Sequence, residues 1–239
     1  MAVLRRFWWL VLALAALPVM LAAFARPPTG DIPLQDGPLR AEATALLRRA
    51  GLPDTPVVVR REGRACGSGT VAGVGPGMRI VLGAPSLAIP RGQALWAVAH
   101  EARHALTHDP LLGVVIGWLW ATLALGVASE ATIAAVRRRG RAGWIAAPLA
   151  LATVWAAGLP VFNLIQRQRE RGADHYAAAM VGGAPGAAFL VREGACLGFE
   201  PAPDLFTRLF LLNHPTTAER VAAMRAAPPL GLPPTSSKR

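Results

Sequence analysis

Three stretches of this chain contain no charged residue, and each is long enough to cross a lipid bilayer: Phe7 to Ala25, Pro110 to Ser129 and Ala142 to Gln166. About 20 apolar residues in a helix span the hydrocarbon core, so these segments limit the fold before anything else does. Trp8, Trp9 and Trp144 sit at span ends, where indole rings favour the interface. The first stretch also has the layout of a secretory signal, with Arg5 and Arg6 ahead of it and "AFA" behind it. Its apolar run is long for a signal, so an uncleaved anchor is the expectation.

The spans divide the chain into an N-terminal membrane segment (1–26), a polar block (27–109), a membrane hairpin (110–166), a second polar block (167–227) and a Pro-rich tail (228–239) expected to be disordered. Two spans separate the polar blocks, which therefore lie on the same side. Arginines cluster at Arg5 and Arg6 and again at Arg137, Arg138, Arg139 and Arg141 between the second and third spans. The positive-inside rule puts both clusters in the cytoplasm and both blocks outside it. The net charge of +11 does not point to nucleic acid, because the arginines border apolar runs rather than forming an aromatic-interleaved basic helix.

Within the first block, "PLRAEATALLRRAGLP" has the pattern of an amphipathic helix, and "TPVVVRR", "GTVAGVG" and "MRIVLG" that of short strands. The Pro/Gly-rich segment ahead of them is expected to be a linker. The second block is expected to be helical, with capping-box spacing at Thr216 and Glu219. Cys66 and Cys196 lie far apart and outside any CxxC. They are expected as two free thiols; a bond between them becomes plausible only where both lie outside the cytoplasm.

The chemistry is carried by "HEARH", residues 100 to 104. Side chains four apart on a helix share a face, so His100 and His104 can grip one tetrahedral cation, with Glu101 beside it as a base for a water. A catalytic zinc takes a third protein ligand. His108 cannot supply it, since His100 and His108 are about 12 Å apart along the axis and about 80° apart around it. Glu170 is the better candidate. Asp174, one turn later, is placed to support a zinc histidine. His175 points elsewhere and is expected to be structural. His214 before Pro215, and Arg220 on the next helix, are weak signals by themselves.

Taken in order, "HEARH", two spans, "RQRERGAD" and "HPTTAER" resemble the HtpX and CAAX prenyl endopeptidase group of membrane zinc metallopeptidases over roughly residues 65 to 225. The resemblance implies an α+β, mostly helical, zincin-like metallopeptidase domain with a small sheet, interrupted by the membrane hairpin. It implies one zinc on His100, His104 and Glu170, with Glu101 as general base. It further implies that Asp174 orients a zinc histidine, His214 stabilises the oxyanion and Arg220 braces the site. Protein or peptide substrates beside the bilayer follow, in a bacterial inner membrane, a setting suited to quality control of membrane or envelope proteins. Two departures stand out. Ser68 lies near the place of the group's asparagine. One span, rather than HtpX's two, precedes HExxH, which turns the expected site outward. A signalling metalloprotease of the BlaR/MecR type and a non-catalytic scaffold are the competing expectations; the former lacks room for a sensing domain, and Glu101 argues against the latter.

Overall fold

The computed structural model describes residues 16–17, 30–61, 66, 69–73, 75–198 and 203–227. The expected N-terminal span, Ser68 and the tail lie outside these residues.

A four-stranded sheet and a helical layer hold the first block. The strands are β1 (Asp31–Pro33), β2 (Val57–Arg60), β3 (Gly69–Ala72) and β4 (Arg79–Gly83), in the order β1-β2-β4-β3. Helix α1 (Pro38–Arg49) lies between β1 and β2. β4 pairs in parallel with β2 and antiparallel with β3. Its central "IVL" is fully buried, as a strand covered on both faces requires. β1 corrects the expectation of a linker. A three-residue edge strand is too short to show a period, and a charge cluster holds it in place. Asp31 accepts hydrogen bonds from Arg60 Nε at 2.8 Å and from Arg79 Nε at 3.0 Å.

Helix α2 (Arg91–Leu106) carries HEARH through the middle of the molecule. Five of its sixteen residues are alanine, and these small side chains let neighbouring elements approach closely. Trp96, Val98, Ala99 and Ala102 are completely buried. The core around them takes Leu46 and Leu47 from α1, Ile80 and Leu82 from β4, and Phe189 and Leu190 from α5 (Gly183–Leu197).

At His108 the backbone turns left-handed (φ 53°), and Asp109 opens α3 (Asp109–Arg139) with Pro110 in its first turn. α3 continues well past the expected span. The segment "EATIAAVRRR", expected as a loop, is helical because nothing in it breaks a helix before Gly140 (φ 57°). A 3-10 turn (Gly140–Ile145) leads into α4 (Ala146–Val181), which packs along α3. The two helices come closest at Gly158, where a Cβ would lie 2.1 Å from the Trp120 ring, so only glycine fits. Among the described residues, Asp109–Val181 is the one helical stretch long and apolar enough to cross a membrane. Leu119, Leu123, Leu149, Trp155, Val161 and Leu164 are exposed along it.

The second block is helical as expected. After α5 come a π-turn (Thr207–Leu211) and α6 (Thr217–Ala226). The capping box at α6 is formed: Glu219 N donates to Thr216 Oγ1 at 3.2 Å, and Thr216 N donates to Glu219 Oε2 at 3.1 Å. Cys66 and Cys196 are bonded to each other, with Cα atoms 5.7 Å apart, so neither is a free thiol. The fold brings the chain just before β3 against the end of α5, a proximity that a 130-residue separation conceals.

Candidate active site

α2 and α4 cross face to face, and their polar stripes meet. His100 and His104 project from α2 with their Nε2 atoms 3.2 Å apart. Glu170 projects from α4, with Oε2 at 3.3 Å from His100 Nε2 and Oε1 at 3.4 Å from His104 Nε2. Four ligands at about 2.0–2.1 Å from a tetrahedral zinc are separated by about 3.3 Å. Each histidine Nε2 has one Glu170 oxygen near that spacing, the three donor atoms lie within 4.8 Å of one another, and the donor set of two imidazoles and a carboxylate suits zinc.

Each imidazole is held through its other nitrogen. His100 Nδ1 lies 3.0 Å from Asp174 Oδ1, and the ring stacks on Trp96 with centroids 5.3 Å apart. Asp174 in turn accepts two hydrogen bonds from Arg220, at 2.8 Å from Nε and 2.7 Å from Nη2, and Arg220 Nη2 reaches Glu170 Oε2 at 3.7 Å. His104 Nδ1 lies 2.7 Å from Asp109 Oδ2, and Arg169 Nε is 3.5 Å from the other Asp109 oxygen. Asp109 is not among the residues expected at the site from the sequence. The signal was present in "HDP", where a non-helical corner after His104 allows the next carboxylate to turn back.

Burial alone would lower the His100 pKa, but its contacts with Asp174 and Glu170 push it up to about 9. His104 is likewise disfavoured as a cation by burial and is raised to about 10 by Asp109 and Glu170.

Glu101 is buried and faces the same cavity, a space of about 1010 Å³. It packs against the first residue of β3: a Cβ on Gly69 would lie 2.8 Å from Glu101 Cγ, so a side chain there would displace the carboxylate. His214 also reaches the site, with Nε2 3.4 Å from Glu170 Oε1, while half of its side chain stays exposed. Its Nδ1 lies 2.6 Å from Asn213 Oδ1. The structure thus brings together His100, Glu101, His104, Glu170, Asp174, His214 and Arg220. His108 stays at the corner, outside the cavity.

Two further residues were missed. Glu193 of α5 lines the cavity, and burial pushes its carboxyl up. Arg167, one helical turn before Glu170, is buried and donates to the carbonyls of Arg208 and Leu212, at 3.1 Å for the latter. In sequence it opens "RQRERGAD", three residues before Glu170, but its partners are more than 40 residues away.

No curated protein sequence matches the chain. Among solved structures, S. mikatae Ste24p superposes with a TM-score of 0.77 at 17% identity, over 94% of this chain and 61% of that one. The chain thus spans under two thirds of that protein, and the likeness is one of fold. The model of peptidase family M48 matches residues 33–227, which take in both polar blocks and the helical stretch between them. With the HEARH helix, the Glu170 helix and the His214 segment all inside that match, the chain belongs to peptidase family M48.

Proposed function

We propose that the protein is a membrane-bound zinc endopeptidase that cuts protein substrates at the bilayer surface. The observation that carries the reading is the convergence of His100, His104 and Glu170, whose donor atoms lie within 4.8 Å of one another as the ligands of one zinc would, with Glu101 buried beside them. A zinc ion there would supply Lewis-acid activation of the scissile carbonyl and of the attacking water. Glu101 takes the proton of that water and delivers it to the leaving amine. His214 stands across the cavity from α2, where its Nε2 can donate to the oxyanion. Asp174 fixes the His100 ring, and Arg220 holds Asp174 and Glu170 in position.

β3 is the outer strand of the sheet on the cavity side, and Gly69, Thr70 and Val71 line the cavity. An extended substrate can pair with this edge, which offers backbone hydrogen bonds whatever the side chains are.

In this reading α3 and α4 cross the bilayer as a hairpin between two parts of one peptidase domain, 27–109 and 167–227. Their 31 and 36 residues extend about 46 and 54 Å, beyond the roughly 30 Å of hydrocarbon. The site faces away from the cytoplasm. The arginines at the hairpin turn and at the N-terminus support this side, and so does the Cys66–Cys196 bond, which persists in oxidising compartments. Turnover of envelope proteins suits such a placement.

Elemental analysis and casein hydrolysis by the detergent-solubilised protein test the chemistry. One zinc per chain is expected, and Glu101→Gln should keep the zinc and lose at least about a hundredfold in rate. A wild-type rate in Glu101→Gln would overturn the mechanism. Alkaline phosphatase fused after Gly231 should be active, and a fluorescent protein fused after Arg139 should fold; the opposite pattern overturns the orientation.

A further inference from the structure

The segment between α5 and α6 has two unlike sides. Its inner side is polar and tied to α4. Asn163 Nδ2 donates to Leu209 O at 3.0 Å, and Arg167 donates to the carbonyls of Arg208 and Leu212. Asp204 caps the turn, accepting from Thr207 N at 2.8 Å and Thr207 Oγ1 at 2.9 Å. Arg208 turns away to pair with Glu219. The outer side is apolar and faces outward: Leu205, Phe206 and Leu211 are 71%, 62% and 66% exposed, and Phe206 stacks on Phe210 with centroids 5.0 Å apart. Three large apolar side chains this exposed within seven residues form a patch that a water-facing surface does not favour.

We infer that the tip of this segment, Leu205 to Leu211, lies in the interfacial layer of the lipid bilayer. The inference rests on the membrane-crossing reading of α3 and α4. Its depth follows from the two α4 residues that hold it. Asn163 lies within the uncharged run that ends at Gln166, and Arg167 is the first charge after it. The two are separated by about 6 Å along the helix, and they bracket the boundary between hydrocarbon and water. The carbonyls they hold, from Arg208 to Leu212, are therefore at that boundary too. Lipid is the occupant because the held carbonyls lie at the end of the uncharged run of α4, whose outward side chains Val161 and Leu164 are 56% and 59% exposed. Apolar side chains below and polar anchors above are the pattern of an interfacial segment. Leu211 also lines the active-site cavity. The cavity mouth then opens onto the membrane surface, and His214, three residues beyond Leu211, is positioned by a segment that the lipid supports.

The full chain in phospholipid nanodiscs, with Cys66 and Cys196 oxidised, provides the test. Single cysteines replace Leu205, Phe206, Leu149 or Arg40, one per variant, and each carries an environment-sensitive fluorophore. Lipids spin-labelled near the headgroup are the quencher. Leu149, on α4, reports on the hairpin, and Arg40, on α1, reports on water. Quenching at positions 205 and 206 is expected to exceed that at 40 by at least about threefold. Quenching at 205 and 206 no greater than at 40, with 149 quenched by lipids labelled deeper in the chain, would overturn the lipid contact and leave the membrane hairpin standing. An unquenched 149 would overturn both. A signal at 206 that changes with protein concentration but not with quencher would show a second copy covering the patch, and would also overturn the inference.

Discussion

His100 and His104 turn the same atom, Nε2, toward the same point, yet they are held from behind by different parts of the protein. Behind His100 stands Asp174, with a side chain only 3% exposed, clamped by both forks of Arg220. Behind His104 stands Asp109, the first residue of α3, at the rim of the site and next to Arg169. One imidazole is fixed by the buried C-terminal part of α4, the other by the first residue of α3. The difference teaches that, in the proposed zinc site, the two imidazoles are supported from different helices of the pair, His100 from α4 and His104 from the start of α3.

Four experiments break or sharpen that comparison. The largest effect is expected from a residue tied to neither imidazole. His214→Ala should lower kcat by about 10²–10³, as removal of an oxyanion donor does, with zinc content unchanged. A loss of zinc in that variant would make His214 a ligand instead.

Asp174→Asn comes next. Zinc affinity should fall about 10- to 100-fold, measured by competition with a chelating dye. The metal-free protein should also lose about 3–5 kcal/mol of stability, because the buried Arg220 is left without its partner. Equal stability of variant and wild type in denaturant titration would show that Arg220 finds a substitute.

Asp109→Asn should cost about tenfold in zinc affinity, at the lower end of such effects, with little loss of stability because Asp109 is less deeply buried. If its stability loss matches that of Asp174→Asn, the two supports are equivalent and the comparison fails.

The smallest effect per step is in pH. In the metal-free site the two imidazoles titrate near 9 and 10, both above the usual histidine value, so both are charged at pH 8. Zinc requires them neutral, and its uptake must release protons. Calorimetry in buffers of different ionisation enthalpy should show about two protons released at pH 8, with apparent affinity rising up to about pH 10. Release of no protons would mean that the carboxylates do not hold the histidines charged.

Much of the site was legible because it depends on local geometry. A four-residue spacing places His100 with His104 and Glu170 with Asp174 whatever surrounds them. The capping box at Thr216 and the three apolar strands are local in the same sense. What escaped was non-local or broke a local rule. Asp109 belongs to the site only because His108 adopts a left-handed backbone. β1 exists because two distant arginines meet Asp31. The helical end of α3 lies between two uncharged runs and reads as the loop that joins them, although no residue before Gly140 interrupts a helix. Arg167 opens "RQRERGAD", yet its partners lie more than 40 residues away; Glu193 has no distinguishing spacing, and the pairing of Cys66 with Cys196 needed the whole fold.

That pairing changes what a cut in the chain would do. The bond closes a covalent ring that contains the HEARH helix, both long apolar helices and the Glu170 ligand. Cleavage at the turn between α3 and α4, on the far side from the site, would leave the two halves as one molecule under oxidising conditions and as two after reduction. A nicked protein could therefore keep its metal side chains in register, and its electrophoretic mobility would reveal the damage only once a reductant was added.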